Sequence, residues 1–234
     1  MSNLDLTIAE IMHGDTEVLK IMKGDVEKWP ILPYDAQVEY LESDGNEWID
    51  TGIMPSNSLE VEIDFLITQY TQSGSSNFSY LFGSRHYQSA RRACFSFAPK
   101  LSASNTNWYV EVGQSAYTAN NTIPLNTAAK LEMNYGSAKI TAGGNVQSVS
   151  YSPTWDSTYA TLSLYLFNRN NLSSDSSIPF TGRVYKCKIK DNNVLVRDFI
   201  PVKNNNVGYM YDKVSGTLFG NAAASGAFTY GNDV

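Results

Sequence analysis

The chain has few of the residues on which metal sites, nucleophilic catalysis and nucleic-acid binding depend. It contains 2 cysteines, 2 histidines and 17 lysines and arginines in 234 residues. Its formal net charge of -6 predicts no nucleic-acid partner, because a phosphate backbone is bound by a clustered basic face. The adjacent pair Arg91 and Arg92 is too small to form such a face.

The two cysteines do not form a recognisable motif. Cys94 and Cys187 are far apart and neither belongs to a CxxC spacing, which excludes a zinc knuckle. Each lies among apolar or alternating residues, so we expect buried free thiols. A disulfide between them is the alternative that the sequence leaves open.

Long apolar runs are also missing. The start, MSNLDLTIAEIMHGD, has no basic segment before an apolar one, so it does not resemble a secretory signal. No stretch reaches the roughly 18 apolar residues that cross a bilayer. We therefore expect synthesis in a cytoplasm and no membrane insertion.

Aromatic and small polar residues are what the chain has instead. Aromatics make up 12% of the residues, with 15 tyrosines, while charged residues make up only 17%. Asn, Ser and Thr fill stretches such as SSDSS and KNNNV, which favour turns and can hydrogen-bond hydroxylated ligands. This composition is typical of a β-protein with a polar, uncharged surface.

A short duplication marks the N-terminal segment. IMHGDTEV is followed by IMKGDVEK, and both copies place alternating residues around Gly-Asp. This pattern predicts a pair of β-hairpins or a small three-stranded meander. The two prolines of WPILPY then hold the chain extended, so we expect an attachment segment and linker at 1–33 and a main domain at 34–234.

The main domain is predicted to be all-β. From Gln37 onward, short alternating runs are separated by Gly, Asn, Ser and Pro, and no stretch has a convincing helical period. Fourteen predicted strands suit two large stacked antiparallel sheets. In the run from Gly182 to Ile189 we expect Val184 on the solvent face with the lysines, and Tyr185 and Cys187 on the core face.

Several strings of the main domain resemble a known family. YLESDGNEWIDTGI, LEVEIDF, YLFGSR, LYLFNRN, GRVYKCKIKDNNVLVRDFIPV and GYMYDKVSGTLFGN occur in that order. Together they resemble the laminin-G-like, concanavalin A-type jelly-roll domains of virion and prophage proteins from phages of gut bacteria. The match runs from Val38 to Tyr230, and GDTEV…GDVEKWP is similar to the leader of such phage proteins.

This resemblance implies an all-β, two-sheet antiparallel jelly-roll sandwich with a small N-terminal hairpin segment. It further implies a virion protein without enzymatic activity, a head or tail fibre or decoration subunit. Residues 1–33 would attach it to other virion proteins, and the jelly-roll would face cell-surface glycans. A homo-oligomer is expected by analogy with fibres. The alternatives are a purely structural capsid or tail component that binds no sugar and, less favoured, a glycan-active enzyme.

The sequence argues against hydrolysis. Retaining glucanases of this fold need an acid and a nucleophile about 5 Å apart. Glu60, Glu62 and Asp64 share one strand face, yet the glucanase pattern continues to another Glu where this chain has Leu66 and Ile67. We expect these three carboxylates on a solvent-exposed face.

Candidate ligand-binding residues are the aromatic, amide and basic side chains that stack on sugars or bind their hydroxyls. They are Asn105, Asn107, Trp108, Tyr109, Trp155, Arg85, His86 and Tyr87. Packing in the core or at its rim is the competing interpretation of Trp108 and Trp155, and Trp48 is assigned to the core. No cofactor is expected; calcium, bound by loop carboxylates such as Asp44, Asp156 or Asp175, is the alternative.

Overall fold

Alternating apolar and polar residues form strands throughout the part of the chain that the computed structural model describes. That part comprises residues 12–13, 16–17, 21–23, 26–28, 32–70, 79–88, 90–99, 107–171 and 178–234. The chain divides into two units, Met1–Pro33 and Tyr34–Val234. No helix within the described residues has the length and apolarity needed to span a bilayer.

The first unit holds two β-hairpins. Its strands are β1 (Met12–His13), β2 (Thr16–Glu17), β3 (Ile21–Lys23) and β4 (Val26–Lys28). β1 pairs with β2 and β3 pairs with β4, both antiparallel. Of the two predicted arrangements, the described residues therefore show the pair of hairpins.

The second unit contains β-strands and one short 3-10 helix in its described residues. The strands are β5 (Ala36–Gln37), β6 (Leu41–Asp44), β7 (Ile49–Asp50), β8 (Leu59–Ile67), β9 (Ser79–Tyr80), β10 (Phe82–Gln88), β11 (Ala90–Ala98), β12 (Asn107–Gly113), β13 (Ser115–Thr122), β14 (Ala128–Asn134), β15 (Ser137–Ala142), β16 (Asn145–Ser150), β17 (Tyr165–Leu166), β18 (Asn170–Asn171), β19 (Ile178–Pro179), β20 (Thr181–Asp191), β21 (Val194–Asn204), β22 (Val207–Asp212), β23 (Thr217–Phe219) and β24 (Thr229–Tyr230). The 3-10 helix is Ser157–Tyr159.

Two sheets account for nearly all of these strands. The seven-stranded sheet has the order β13-β12-β11-β10-β17-β7, with β18 beside β10. The eleven-stranded sheet has the order β16-β15-β14-β8-β20-β21-β22-β23, with β5, β6 and β24 attached at its side. Their pairing is antiparallel except for β10 with β18, and the chain is thus a jelly-roll-like β-sandwich, as predicted.

The core lies between the two sheets, and strand alternation decides which side chains enter it. Along β8 every second residue from Leu59 to Ile67 is buried, and Phe65 contacts Phe97 of the facing sheet. Glu60, Glu62 and Asp64 lie on the outer face, where the Glu62 carboxylate is 2.8 Å from the Lys130 ammonium. The predicted solvent-exposed face of this strand is confirmed.

Asparagine pairs close two of the hairpins in the eleven-stranded sheet. Asn192 and Asn193 form the turn between β20 and β21, with φ values of 51° and 62°. Asn205 and Asn206 do the same between β21 and β22, with φ values of 51° and 60°. Asparagine tolerates this left-handed backbone better than most residues.

The first and last residues of the second unit's sheet lie side by side. Val38 forms an antiparallel bridge with Asp233, and the Val234 amide donates to the Gln37 carbonyl over 3.1 Å. Both ends are therefore tied to the same side of the eleven-stranded sheet.

The expected faces of β20 are wrong for two residues, Val184 and Tyr185. A β-bulge between Val184 and Lys186 shifts the register of β20 against β8. Val184 is consequently buried in the core with Cys187 and Ile189, whereas Tyr185 lies on the outer face, half-buried. A bulge inserts one extra residue and so inverts the alternation on one side of it. Both cysteines are buried thiols, and no disulfide joins them.

The bulge can be tested by replacing Val184 with threonine. A buried hydroxyl without a partner costs about 1–3 kcal/mol, so Val184→Thr should lower the free energy of unfolding by that amount in urea titrations. Val194→Thr is the matched control, because Val194 is 62% exposed. Equal stability of the two variants would mean that Val184 faces solvent and that the bulge is absent.

Candidate functional site

The strand register aligns one residue from each of six strands in a row on the outer face of the seven-stranded sheet. From edge to edge this outer row is Asp50, Tyr165, Gly83, Ser96, Glu111 and Ala116. Their chain neighbours, such as Phe82 and Val110, belong to the core between the sheets. Side chains alternate along a strand, so the row points away from that core.

A buried polar cluster surrounds Glu111 in this row. We call it the Glu111 cluster; it consists of Tyr80, Arg85, Ser96, Tyr109, Glu111 and Arg169.

The Glu111 carboxylate is held by several donors at once. Arg169 Nη1 forms a short ion pair with Oε2, and Tyr109 donates to Oε1 over 3.1 Å. Ser96 Oγ donates to Oε2 over 3.3 Å, and Arg85 Nε lies 3.9 Å from Oε1. Glu111 is only 1% exposed and Arg169 only 4%. An ion pair so deeply buried must be geometrically well satisfied, because both groups have lost their hydration.

The Tyr80 ring of the cluster lies against the buried ion pair. The Arg169 guanidinium carbon lies 3.7 Å from the centroid of the Tyr80 ring. Burial, and then the negative charge of Glu111, raises the pKa of Tyr80 well above its usual value. Tyr80 therefore stays a neutral hydroxyl at physiological pH, and it covers Glu111 together with Arg169.

An accessible aromatic pair lies at the other end of the outer row. The rings of Trp48 and Tyr165 stack with centroids 6.2 Å apart and an interplanar angle of 16°. Both residues are half-buried. Asn221 Oδ1 accepts from the Trp48 amide, and the Ala222 amide donates to the Trp48 carbonyl, so the backbone of Trp48 is fixed. Trp48 was expected in the core; it packs against the core but is only partly buried.

Arg85 is the member of the Glu111 cluster that lies on the strand next to Tyr165. It follows Gly83 by two residues on the same strand and so shares the outer face, diagonal to Tyr165. Gly83 has a φ of +138°, and a Cβ there would lie 2.3 Å from the Ser96 Cβ. Only glycine fits, and the row therefore carries no side chain between Tyr165 and Ser96.

Trp108, the leading sequence candidate for sugar stacking, is a core residue. It is fully buried, its ring centroid lies 6.0 Å from that of Phe97, and its Nε1 donates to Gln147 Oε1 over 2.7 Å. Alternation along β12 explains the correction: Tyr109 and Glu111 face outward, so Trp108 faces inward. Its ring cannot stack on a sugar in this structure.

The remaining candidates are divided between several places. Arg85 and Tyr109 come together at Glu111, whereas His86 donates to or accepts from Thr161 Oγ1 over 2.8 Å and contacts the Tyr159 ring edge-on. Trp155 is half-buried and packs edge-on against Tyr135.

For the last three candidate ligand-binding residues the structure describes few contacts. Asn107 begins β12 opposite Thr122 and is half-buried. Tyr87 lies in β10, but its side chain is outside the described part of the structure, and Asn105 is outside it entirely.

Sequence reasoning missed four residues of this face: Trp48 as an accessible ring, Tyr165, Glu111 and Arg169. Glu111 carried a signal, because a lone carboxylate in the apolar run WYVEV must either face outward or find a partner. Arg169 carried none, since it lies in the polar stretch NRNN and is 58 residues from Glu111.

The outer row does not have the geometry of a glycosidase. Asp50 and Glu111 are separated by four strand spacings, or about 19 Å. Paired carboxylates of retaining and inverting enzymes lie about 5 to 9.5 Å apart. These two carboxylates of the row are therefore too far apart for either mechanism.

Metal ligands are not grouped within the described residues. No cluster of three or more His, Cys, Asp or Glu side chains occurs there. Asp44 Oδ1 accepts from Asn46, and Asp156 caps the 3-10 helix by accepting from the Thr158 amide. Asp175 lies outside the described residues, and calcium binding stays a prediction.

Comparison with known proteins supports the fold. No family model matches the chain, and no curated protein matches it by sequence. A protein of Bacteroides ovatus ATCC 8483, named for an inferred role in carbohydrate binding, aligns over 84% of this chain with a TM-score of 0.52 and 10% identity. This chain spans 61% of that protein's length.

A second solved structure is more distant. Scytalido-glutamic peptidase, crystallised with a peptide-based transition state analog, aligns over 81% of this chain and 99% of its own. Its TM-score of 0.40 and identity of 15% are too low to carry an argument. The comparisons thus show a β-sandwich fold, and function must be argued from the site.

The buried ion pair of the Glu111 cluster can be tested by the substitution Glu111→Gln. A neutral amide leaves the buried Arg169 charge without its partner, so the free energy of unfolding should fall by about 3–5 kcal/mol in urea titrations. Glu62→Gln is the matched control, because the Glu62 and Lys130 side chains are 42% and 40% exposed. That variant should lose less than about 1 kcal/mol. Similar losses in both proteins would contradict the buried-pair assignment.

Proposed function

We propose that the chain is a non-enzymatic phage virion protein whose β-sandwich binds cell-surface glycans along the outer row. The observation that carries the glycan assignment is the row itself. It joins a partly exposed aromatic stack at Trp48 and Tyr165 to the charged and hydroxyl groups around Glu111. Stacking rings beside convergent polar groups are what a sugar needs, because a sugar ring has an apolar face and a polar rim.

The accessible end of the row would make the direct contacts. Trp48 and Tyr165 offer a planar surface, and Asp50, opposite Tyr165 on the neighbouring strand, offers carboxylate oxygens at the polar rim. Burial, and then the charge of Asp50, raises the pKa of the Tyr165 phenol, so it remains a neutral donor for a sugar hydroxyl. A neutral phenol and a carboxylate together match a hydroxyl's ability to donate and accept.

The Glu111 cluster would orient Arg85 rather than contact the ligand. Glu111 is covered by Tyr80 and Arg169, whereas the Arg85 side chain is 15% exposed. An arginine held near a buried carboxylate loses less entropy on binding than a free one. We assign Arg85 as a ligand-binding residue and Glu111 as a positioning residue.

The name of the Bacteroides ovatus protein agrees with this proposal, although its identity of 10% carries only the fold. The virion context rests on the resemblance of the main-domain strings and of the N-terminal leader to phage structural proteins. In this proposal the hairpins of residues 1–33 bind other virion proteins, and the protein acts in the virion as a head or tail fibre or decoration subunit.

Loss of stacking gives the most direct test of the glycan site. Tyr165→Ala should weaken binding at least about tenfold, since the aromatic face is removed while the row's backbone stays paired. Binding would be measured on a glycan array, with and without calcium, and then by titration of the saccharide that the array identifies. Tyr209→Ala, a half-buried tyrosine on the outer face of the other sheet, is the matched control.

Two outcomes would contradict the proposal. If Tyr165→Ala binds the saccharide with the affinity of the wild-type protein, the glycan does not bind at the outer row. Silence of the folded wild-type protein across the array would instead favour a purely structural capsid or tail component. If the protein binds the saccharide only when calcium is present, calcium is a cofactor of binding, the alternative that the loop carboxylates suggested.

Deletion of residues 1–33 tests the attachment role. The shortened protein should fail to enter particles but keep the unfolding transition of the second unit, because the two units divide at Pro33. Incorporation would be measured by complementing a phage that lacks the gene and probing purified particles with antibody. Normal incorporation of the shortened protein would refute this role.

A further inference from the structure

A second concave surface lies on the outer face of the eleven-stranded sheet, opposite the outer row. It is a depression of about 400 Å³, and its floor and walls include Asp64, Ala128, Lys130, Thr141 and Tyr185. We call it the Tyr185 pocket. Its volume lies within the range of small-ligand sites in proteins, about 300–1,000 Å³.

The β-bulge of β20 creates this pocket. Without the bulge the side chain at position 185 would enter the core; with it, Tyr185 stands on the outer face and forms a wall. Bulges often occur where a strand redirects one side chain toward a functional site. Ala128 on β14 is exposed and has only a methyl group, which leaves the space beside Tyr185 open.

Tyr185 is held in place by its neighbours. Its ring meets the Tyr40 ring edge-on at a centroid distance of 5.8 Å. The Arg183 guanidinium lies 4.1 Å from the Tyr40 centroid and bonds to the Glu42 carboxylate over 2.9 Å. The Tyr185 ring therefore packs on Tyr40, which is itself held by Arg183, before any ligand arrives.

Charged groups of both signs form the polar rim. The strand register aligns Thr141, Lys130, Asp64 and Lys186 in one cross-strand row. Lys130 is held by Glu62 at 2.8 Å, which also fixes its position. The hydrogen bond from Lys130 lowers the pKa of Glu62, so this pair stays charged at neutral pH.

We infer that the Tyr185 pocket is a second saccharide site, independent of the outer row. The Tyr185 ring and the Ala128 methyl suit the apolar face of a sugar ring. Asp64 accepts and Lys130 donates, so adjacent hydroxyls can bond to both. A purely apolar ligand is disfavoured, because it would remove water from the charges of Asp64 and Lys130 without hydrogen-bonding to them. The inference goes beyond the proposed glycan site, because it concerns the opposite face of the sandwich.

The test uses the full-length protein labelled with ¹⁵N and three probes, the methyl glycosides of glucose, galactose and N-acetylglucosamine. At least one probe should shift the backbone amides of β8, β14 and β20 around the pocket. Tyr185→Ala should weaken that binding at least about tenfold, whereas Tyr185→Phe, which keeps the ring, should retain it.

Filling the pocket gives a second variant that does not remove a packed ring. Ala128→Trp should abolish the amide shifts, because the indole occupies the space beside Tyr185. Ala224→Trp is its control, since Ala224 is an exposed alanine outside the pocket. Tyr165→Ala should leave these shifts unchanged, which separates this site from the outer row.

Each contrary result overturns the inference. Wild-type protein that shows no shift around the pocket with any of the three probes would do so. Shifts that persist in both Tyr185→Ala and Ala128→Trp would do so as well. Amide shifts that are confined to β7 and β17 and are lost in Tyr165→Ala would support glycan binding at the outer row. They would also show that the Tyr185 pocket is not a saccharide site.

Discussion

The alternation of side chains along paired strands is the constraint on which this molecule depends. Phe65, Phe97 and their neighbours pack one face of each sheet into the shared core. The register of the strands then determines which residues lie on the outer faces. Glu111 is therefore placed on the outside of its sheet by Val110 and Val112, which face in. The outer row follows from core packing, and no separate interaction is needed to align it.

Burial of the Glu111 cluster adds rigidity to one half of that row. A carboxylate that accepts from an arginine, a tyrosine and a serine has little freedom, and neither do its partners. The aromatic end, by contrast, keeps exposed surface at Trp48 and Tyr165. The face thus combines a fixed polar half with a partly exposed aromatic half.

Local patterns in the sequence predicted most of the fold but only part of the site. The bounds of Leu59–Ile67 and the turn at Asn192-Asn193 follow from alternation and from asparagine's backbone tolerance. The polar edge strand Ser115–Thr122 has no apolar alternation and was missed. The sequence left Trp108 open between sugar stacking and core packing because alternation alone does not say which face is the core, and the bulge at Tyr185 depends on the partner strand. Arg169 meets Glu111 only through tertiary structure.

The bridge between Val38 and Asp233 holds the two ends of the second unit side by side. A module whose entry and exit lie hydrogen-bonded side by side can be joined to a host at a single point, and even placed within a surface loop, without pulling its strands apart. A pulling force applied at these two ends would act first on the Val38–Asp233 bridge and on the pairing of β5 with β21. The force would reach the core only after those hydrogen bonds had broken.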